Sequence, residues 1–258
     1  MAALTASNVL GMDPVTLARL GLAGVLQGTN ALGRDGPDGR AGAVLGLDWP
    51  ELERVLPDRG FPRGVIEIAS PITKHGAMRG GATTIALSAM RAVHAGSPHA
   101  WCAWITEAQA PPLYAPAVAQ AGVDLERLLV VRPSPVDLAR TVVKVAASGA
   151  FDLVVVDAPA GLDGKLSIPQ VAGTQTLAAT RPKRARVDGS VVIRKLALAA
   201  EEKGTTFLVL TNIYTSRAVP WPVALRLEVE RRPEAIAVRV TKDRRGRASS
   251  QHVVRVAC

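Results

Sequence analysis

The chain has little of what several common functions require. Its 258 residues include two cysteines, Cys102 and Cys258, far apart and outside any C-x-x-C pair. Neither a disulfide framework nor a metal site is therefore expected, and the count suits a reducing compartment. Four histidines, His75, His94, His99 and His252, show no ligand spacing. The longest apolar runs, such as 153–156 and 207–210, are strand-sized and far too short to cross a bilayer. At the start, MAALTASNVLGMDPV has no basic n-region before an apolar stretch, so no signal peptide is expected. No internal repeat is evident. A cytoplasmic protein with no membrane partner is the expectation.

Acidic residues are scarce as well. Asp and Glu number 22 against 31 Lys and Arg, a formal charge of +9. Such an excess favours a polyanion or an acidic protein as partner, although a genome rich in arginine codons gives the same count. Distribution is more telling. Arg181, Lys183, Arg184 and Arg186 fall in one short run, RPKRAR, and Lys242, Arg244, Arg245 and Arg247 form a second group. The first run suits phosphate contact, each neutralised phosphate adding salt-sensitive affinity. It contains no aromatic residue, so stacking on bases is unsupported.

Apolar residues make up 48%, an ordinary globular share that suffices for one large core. Residues 14–28 carry Val15, Leu17, Leu20, Leu22, Val25 and Leu26 at helical spacing, with Pro14 suited to a first turn. The span 30–46 is rich in Gly, Asp and Arg and reads as a linker. The division expected is therefore an N-terminal helix and linker over 1–46 and a core over 47–258. From 65 onward, apolar strands (65–69, 101–106, 128–131, 153–156, 206–210) alternate with amphipathic helices (83–94, 113–120, 136–147, 191–202). That alternation predicts an α/β fold, a mostly parallel twisted sheet with helices on both faces. Residues 224–230, 235–241 and 251–256 read as an antiparallel C-terminal extension of the same sheet.

In an open parallel sheet, ligands bind beyond the carboxyl ends of the strands. The loop 70–81, Glu107, Asp157 and Asn212 all fall there. The stretch 64–87, GVIEIASPITKHGAMRGGATTIAL, runs strand, glycine loop, helix, and from Gly76 to Gly81 it has the spacing of a phosphate-binding loop, G-x-x-x-x-G-K-[ST]. Thr83 and Thr84 follow, but Ala82 stands at the lysine position. Gly76, Gly81, Thr83, Thr84, Asp157 and Asn212 are thus candidates for a degenerate nucleotide site. Three simpler readings compete: a flexible glycine turn whose helix start catches any anion, an Asp157 that only caps neighbouring loops, and a Glu107 that is only a solvated acid.

In order along the chain, GFPRGVIEIAS, then WITEAQAPPLYAPAVAQAGVDLERLLVVRP, FDLVVVDAPA, RKLA and TFLVLTN resemble the RecA-like superfamily of P-loop proteins. The resemblance covers about 47–256 and implies a RecA-like P-loop core. It implies ATP and magnesium as possible cofactors, Glu107 in the place of the water-activating glutamate, Asp157 in that of the magnesium-linked aspartate, and Asn212 in that of a γ-phosphate sensor. Departures are Ala82, a short 213–223 loop, and a long 158–190 loop holding the basic run. The opening 45–64 and the decayed phosphate loop are most similar to the ImuA subfamily, accessory proteins of SOS (damage-induced) mutagenesis. Membership implies RecA, an ImuB-type adaptor, an error-prone C-family DNA polymerase and DNA as partners and a nucleoid-associated location, while the missing lysine makes Glu107 a vestigial candidate. A DNA-stimulated ATPase and a DNA-binding recombination mediator are the alternatives. A lysine supplies charge that follows the γ-phosphate into the transition state, so its loss predicts weak or absent hydrolysis.

Overall fold

Strands that are apolar on both faces need cover on both sides, and this chain supplies it element by element. The computed structural model describes residues 44–71, 80–159, 161–162, 188–214 and 222–256. A small ribbon of β1 (Val44–Leu45) and β2 (Phe61–Pro62) flanks the short helix α1 (Pro50–Val55). Then come β3 (Val65–Ser70), α2 (Gly80–Gly96), β4 (Cys102–Thr106), α3 (Ala115–Gln120) and a 3-10 turn (Leu125–Arg127). They are followed by β5 (Leu128–Val131), α4 (Leu138–Ser148), β6 (Leu153–Asp157), α5 (Gly189–Lys203) and β7 (Thr206–Asn212). The chain closes on β8 (Leu225–Arg232), β9 (Ala235–Asp243) and β10 (His252–Arg255).

The main sheet has the order β10-β9-β8-β3-β7-β6-β4-β5. From β8 to β5 every neighbouring pair is parallel, and β9 and β10 add antiparallel strands. The expected α/β architecture is therefore present, with one shift. Residues 224–230 were expected in the antiparallel part, whereas β8 runs parallel to β3, Leu225 opposite Ile66 and Glu228 opposite Ala69. β7 and β8 flank β3 in the same direction, so β7 ends at the carboxyl edge and β8 begins at the amino edge, with residues 213–224 between them in sequence. A crossover of that kind needs about a dozen residues, which is what the segment has.

Alternation of side chains divides the core into two layers. Ile66, Ile68, Val155, Leu208, Leu210 and Trp104 pack with Ile85, Ala89, Met90 and Val93 of α2. On the other face Val65, Ile105, Val154, Val156 and Val209 meet Val142 and Val145 of α4 and Ile193 and Leu196 of α5. The core reaches back into the span expected as linker, since Leu45 lies opposite Phe61 and is buried. Gly64, at the entrance to β3, has φ +133, and a Cβ there would come within 3.3 Å of Ala224. The backbone turn that admits both β3 and the crossover therefore requires glycine. The helix expected over 14–28 lies outside the described residues.

Candidate functional site

The carboxyl edge gathers polar residues from four strands onto one face. Ser70 is in register with Asn212, Asp157 with Leu210, and Thr106 with Asp157. By the same alternation that puts Ile66 and Ile68 against α2, the side chains of Ser70, Asn212, Asp157 and Thr106 belong to the α2 face. Ser70, Thr106 and Asn212 are buried and Asp157 is half-buried. Among the described residues, the hydroxyl oxygens of Ser70 and Thr106 have no hydrogen-bond partner. Asn212 Oδ1 accepts the backbone N–H of Tyr214 at 2.9 Å, so part of this side chain shapes the start of the crossover. Glu107 lies one residue beyond β4, half-buried, in a turn held from two sides: Ala108 N–H donates to Pro133 O at 2.8 Å, and the Arg132 guanidinium donates to Ala108 O at 2.7 Å and Ala110 O at 2.6 Å.

At the start of α2, Gly81 is buried and Thr83 and Thr84 are half-buried. A Cβ on Gly81 would stand 3.3 Å from Ile236 Cγ2, 3.6 Å from Val229 Cγ2 and 3.7 Å from the Arg231 backbone N. The first turn of α2 therefore lies against the β8–β9 hairpin. Ala82 is fully buried in the apolar cluster that also contains Val229, Ile236 and Val238. Gly76 and the basic residues Arg181, Lys183, Arg184 and Arg186 lie outside the described residues.

One buried charge had no notice in the sequence reading. Glu67, in the middle of β3, is 1% exposed. Its Oε1 accepts the Thr211 hydroxyl at 2.7 Å and its Oε2 lies 3.5 Å from Arg226 Nε. Arg226 also pairs with Glu228 at 3.1 Å, and Glu228 with Arg239 at 3.3 Å. Glu67 thus joins the two strands, β7 and β8, that hold the ends of the crossover. A glutamate inside an otherwise apolar strand, VIEIAS, was the available signal, since a buried charge has to be paired.

Strongly shifted ionisable groups tend to mark catalytic sites. Here burial pushes the Asp152 carboxyl and the Cys102 thiol up and the His94 imidazole down. Cys102 opens β4 and Asp152 precedes β6, at the amino edge and opposite the polar cluster. Among the described residues no group of three or more metal-ligating side chains occurs, and no helix is long and apolar enough to cross a membrane. The donor set at the carboxyl edge, hydroxyls of Ser70 and Thr83 with the Asp157 carboxylate, suits an anion accompanied by a divalent cation. It lacks a cation on α2 to meet charge developing on a transferred phosphoryl group.

A family profile described as the RecA N-terminal domain matches residues 50–219. The chain is 34% identical to Protein RecA of Corynebacterium urealyticum over 157 residues, 60% of this chain and 38% of that protein. It is 33% identical to Protein RecA of Thermus aquaticus over 165 residues, 63% of this chain and 44% of that protein. The chain thus aligns with less than half the length of either relative.

Proposed function

Because this chain belongs to the RecA N-terminal-domain family, we propose that it is a RecA-like accessory protein of ImuA type. In this reading it supports damage-induced mutagenesis and translesion synthesis by binding RecA, an ImuB-type adaptor and an error-prone C-family polymerase, with DNA as a further partner. The observation that carries the reading is Ala82, buried in the apolar core where a P-loop protein has its lysine. A family member that gathers the polar edge yet fills the lysine position with core is better suited to partner binding than to turnover. Glu107 is then a vestigial acid. Thr83, Thr84, Asp157 and Asn212 with Gly76 and Gly81 make up a degenerate nucleotide site, in which Thr83 and Asp157 would hold magnesium.

Co-purification with RecA and the adaptor polymerase from the same organism tests this reading. Association that persists at moderate salt is the expected result, and no association at low or moderate salt removes it. A second reading, a DNA-stimulated ATPase, has the gathered polar edge in its favour. It requires robust turnover that disappears in Glu107→Gln.

A further inference from the structure

The fold brings one arginine to the helix start that lost its lysine. β8 is longer than its pairing with β3: Glu228 is opposite Ala69, and the strand continues to Arg232 before turning into β9. The hairpin tip therefore rises past Ser70 and over the carboxyl edge. Leu225, Leu227 and Val229 face α2 and are buried with it. Strand alternation puts Arg231 on that same side, one step beyond Val229. Its backbone N is 3.7 Å from the point where a Cβ on Gly81 would stand. Arg231 is exposed, and its guanidinium makes no ion pair or hydrogen bond among the described residues. Its neighbour Arg232 belongs to the other face, 3.7 Å from Glu230.

Two independent features at this place call for an anion. The first turn of α2, a helix of 17 residues, offers backbone N–H groups and the positive end of the helix dipole. Ser70, 3% exposed, ends β3 on the α2 side, and its buried hydroxyl has no partner among the described residues. A buried hydroxyl without a partner is costly in a finished structure and is relieved by a bound acceptor.

We propose that Arg231 supplies, from the β8–β9 hairpin, the positive charge that Ala82 removed from α2, so that the helix start, Ser70 and Arg231 hold the phosphate chain of a nucleoside triphosphate. The position of Arg231 differs from that of a P-loop lysine in one consequential way. An arginine on a hairpin grips phosphate oxygens from outside the loop, through charge-assisted and bidentate bonds that an ammonium cannot make. This inference rests on the degenerate-site reading above but not on the partner assignment, and the two can fail separately.

The test is titration calorimetry of the full chain with inorganic tripolyphosphate and with ATP, each with magnesium. The variants are Arg231→Ala, Arg231→Lys and, as a neighbour on the opposite face, Arg232→Ala. Losing one charge-assisted contact to a phosphate corresponds to roughly tenfold weaker binding. We expect Arg231→Ala to lose about that much for both ligands, Arg231→Lys to lose less, and Arg232→Ala to bind as the parent does. Unchanged melting temperatures would exclude misfolding, which an exposed position does not invite. The proposal is overturned if the parent binds neither ligand, if Arg231→Ala binds as tightly as the parent, or if it weakens only a DNA oligonucleotide. Co-purification with RecA is unaffected by any of these results.

Discussion

At position 82 a lysine would have to enter space that the fold has filled with Val229, Ile236, Val238 and the side chains of α2. A charge there loses its water and gains no carboxylate in return, which costs several kcal/mol. Ala82→Lys is therefore expected to lower the melting temperature and to bring no ATPase activity. Ala82→Met separates charge from volume, since overpacking alone costs about 1–3 kcal/mol. Magnesium-dependent turnover in a stable Ala82→Lys protein would show that the loop had lost one residue and nothing else. A second residue sets a pH limit. His94 is buried at the end of α2, and its Nδ1 accepts the Asp124 N–H at 3.2 Å, so the proton belongs on Nε2, which has no partner among the described residues. Burial, and then the nearby Arg127 charge, hold its pKa below the ordinary 6.5. The folded state thus prefers the neutral ring. The stability this contributes is complete above 6.5 and is lost as pH falls toward the folded value. Guanidinium midpoints at pH 7.5 and 5.5 should fall more steeply in the parent than in His94→Gln, and equal slopes would count against this assignment.

The elements legible in the sequence were those whose signal is local. VIEIAS, LVVVD and TFLVLTN could only be buried strands, and Asp157 and Asn212, at or near their ends, were found with them. Helix α2 was expected from 83 and begins at Gly80, because glycines argue against helix in isolation. The hairpin reverses that preference, since a Cβ on Gly81 would press on Ile236 at 3.3 Å. The ribbon β1–β2 left no signal in a span rich in Gly and Pro. Ser70 was visible only as the first residue of the loop 70–81, and Arg231 not at all, since its place beyond the carboxyl edge depends on β8 lying beside β3. The same holds for the lock between the loops at 57–60 and 244–250. Arg247 forks onto Asp58, Nη1 at 2.9 Å and Nη2 at 3.0 Å, while its Nε reaches Asp243 at 2.8 Å. The Asp58 carboxyl is held below its ordinary 3.8 chiefly by the Arg247 hydrogen bond; at Asp243 burial opposes the same arginine, which prevails. Both carboxylates therefore add stability that is present above 3.8 and lost as pH falls below it. Arg247→Ala should speed hydrogen exchange in both loops at neutral pH and flatten the stability loss between pH 4 and 2. Arg247→Lys should recover little, because an ammonium cannot make the two parallel bonds.

For the whole molecule, the question is where the surplus charge of +9 is free to act. The second basic group is largely occupied within the fold: Arg244 reaches Glu201 at 3.4 Å, Arg245 reaches Asp58 at 3.3 Å, and Arg247 is locked as described. Exposed pairs of this kind are worth little as stability, but each places a carboxylate beside a cation and reduces its pull on a distant phosphate. The run 181–186 carries four cations in six residues with no acid among them. If DNA is a partner, its phosphates should therefore meet Arg181, Lys183, Arg184 and Arg186 rather than the C-terminal group. Changing all four to glutamine should lower the slope of log affinity against log salt by about 0.7 per lost contact on a single strand and about 0.9 on a duplex. Fluorescence anisotropy across a salt series measures this directly. Arg244→Gln with Arg245→Gln provides the contrast and should leave the slope near that of the parent. The reverse pattern, a slope reduced only by the second pair, would move the DNA contact onto the antiparallel side of the sheet.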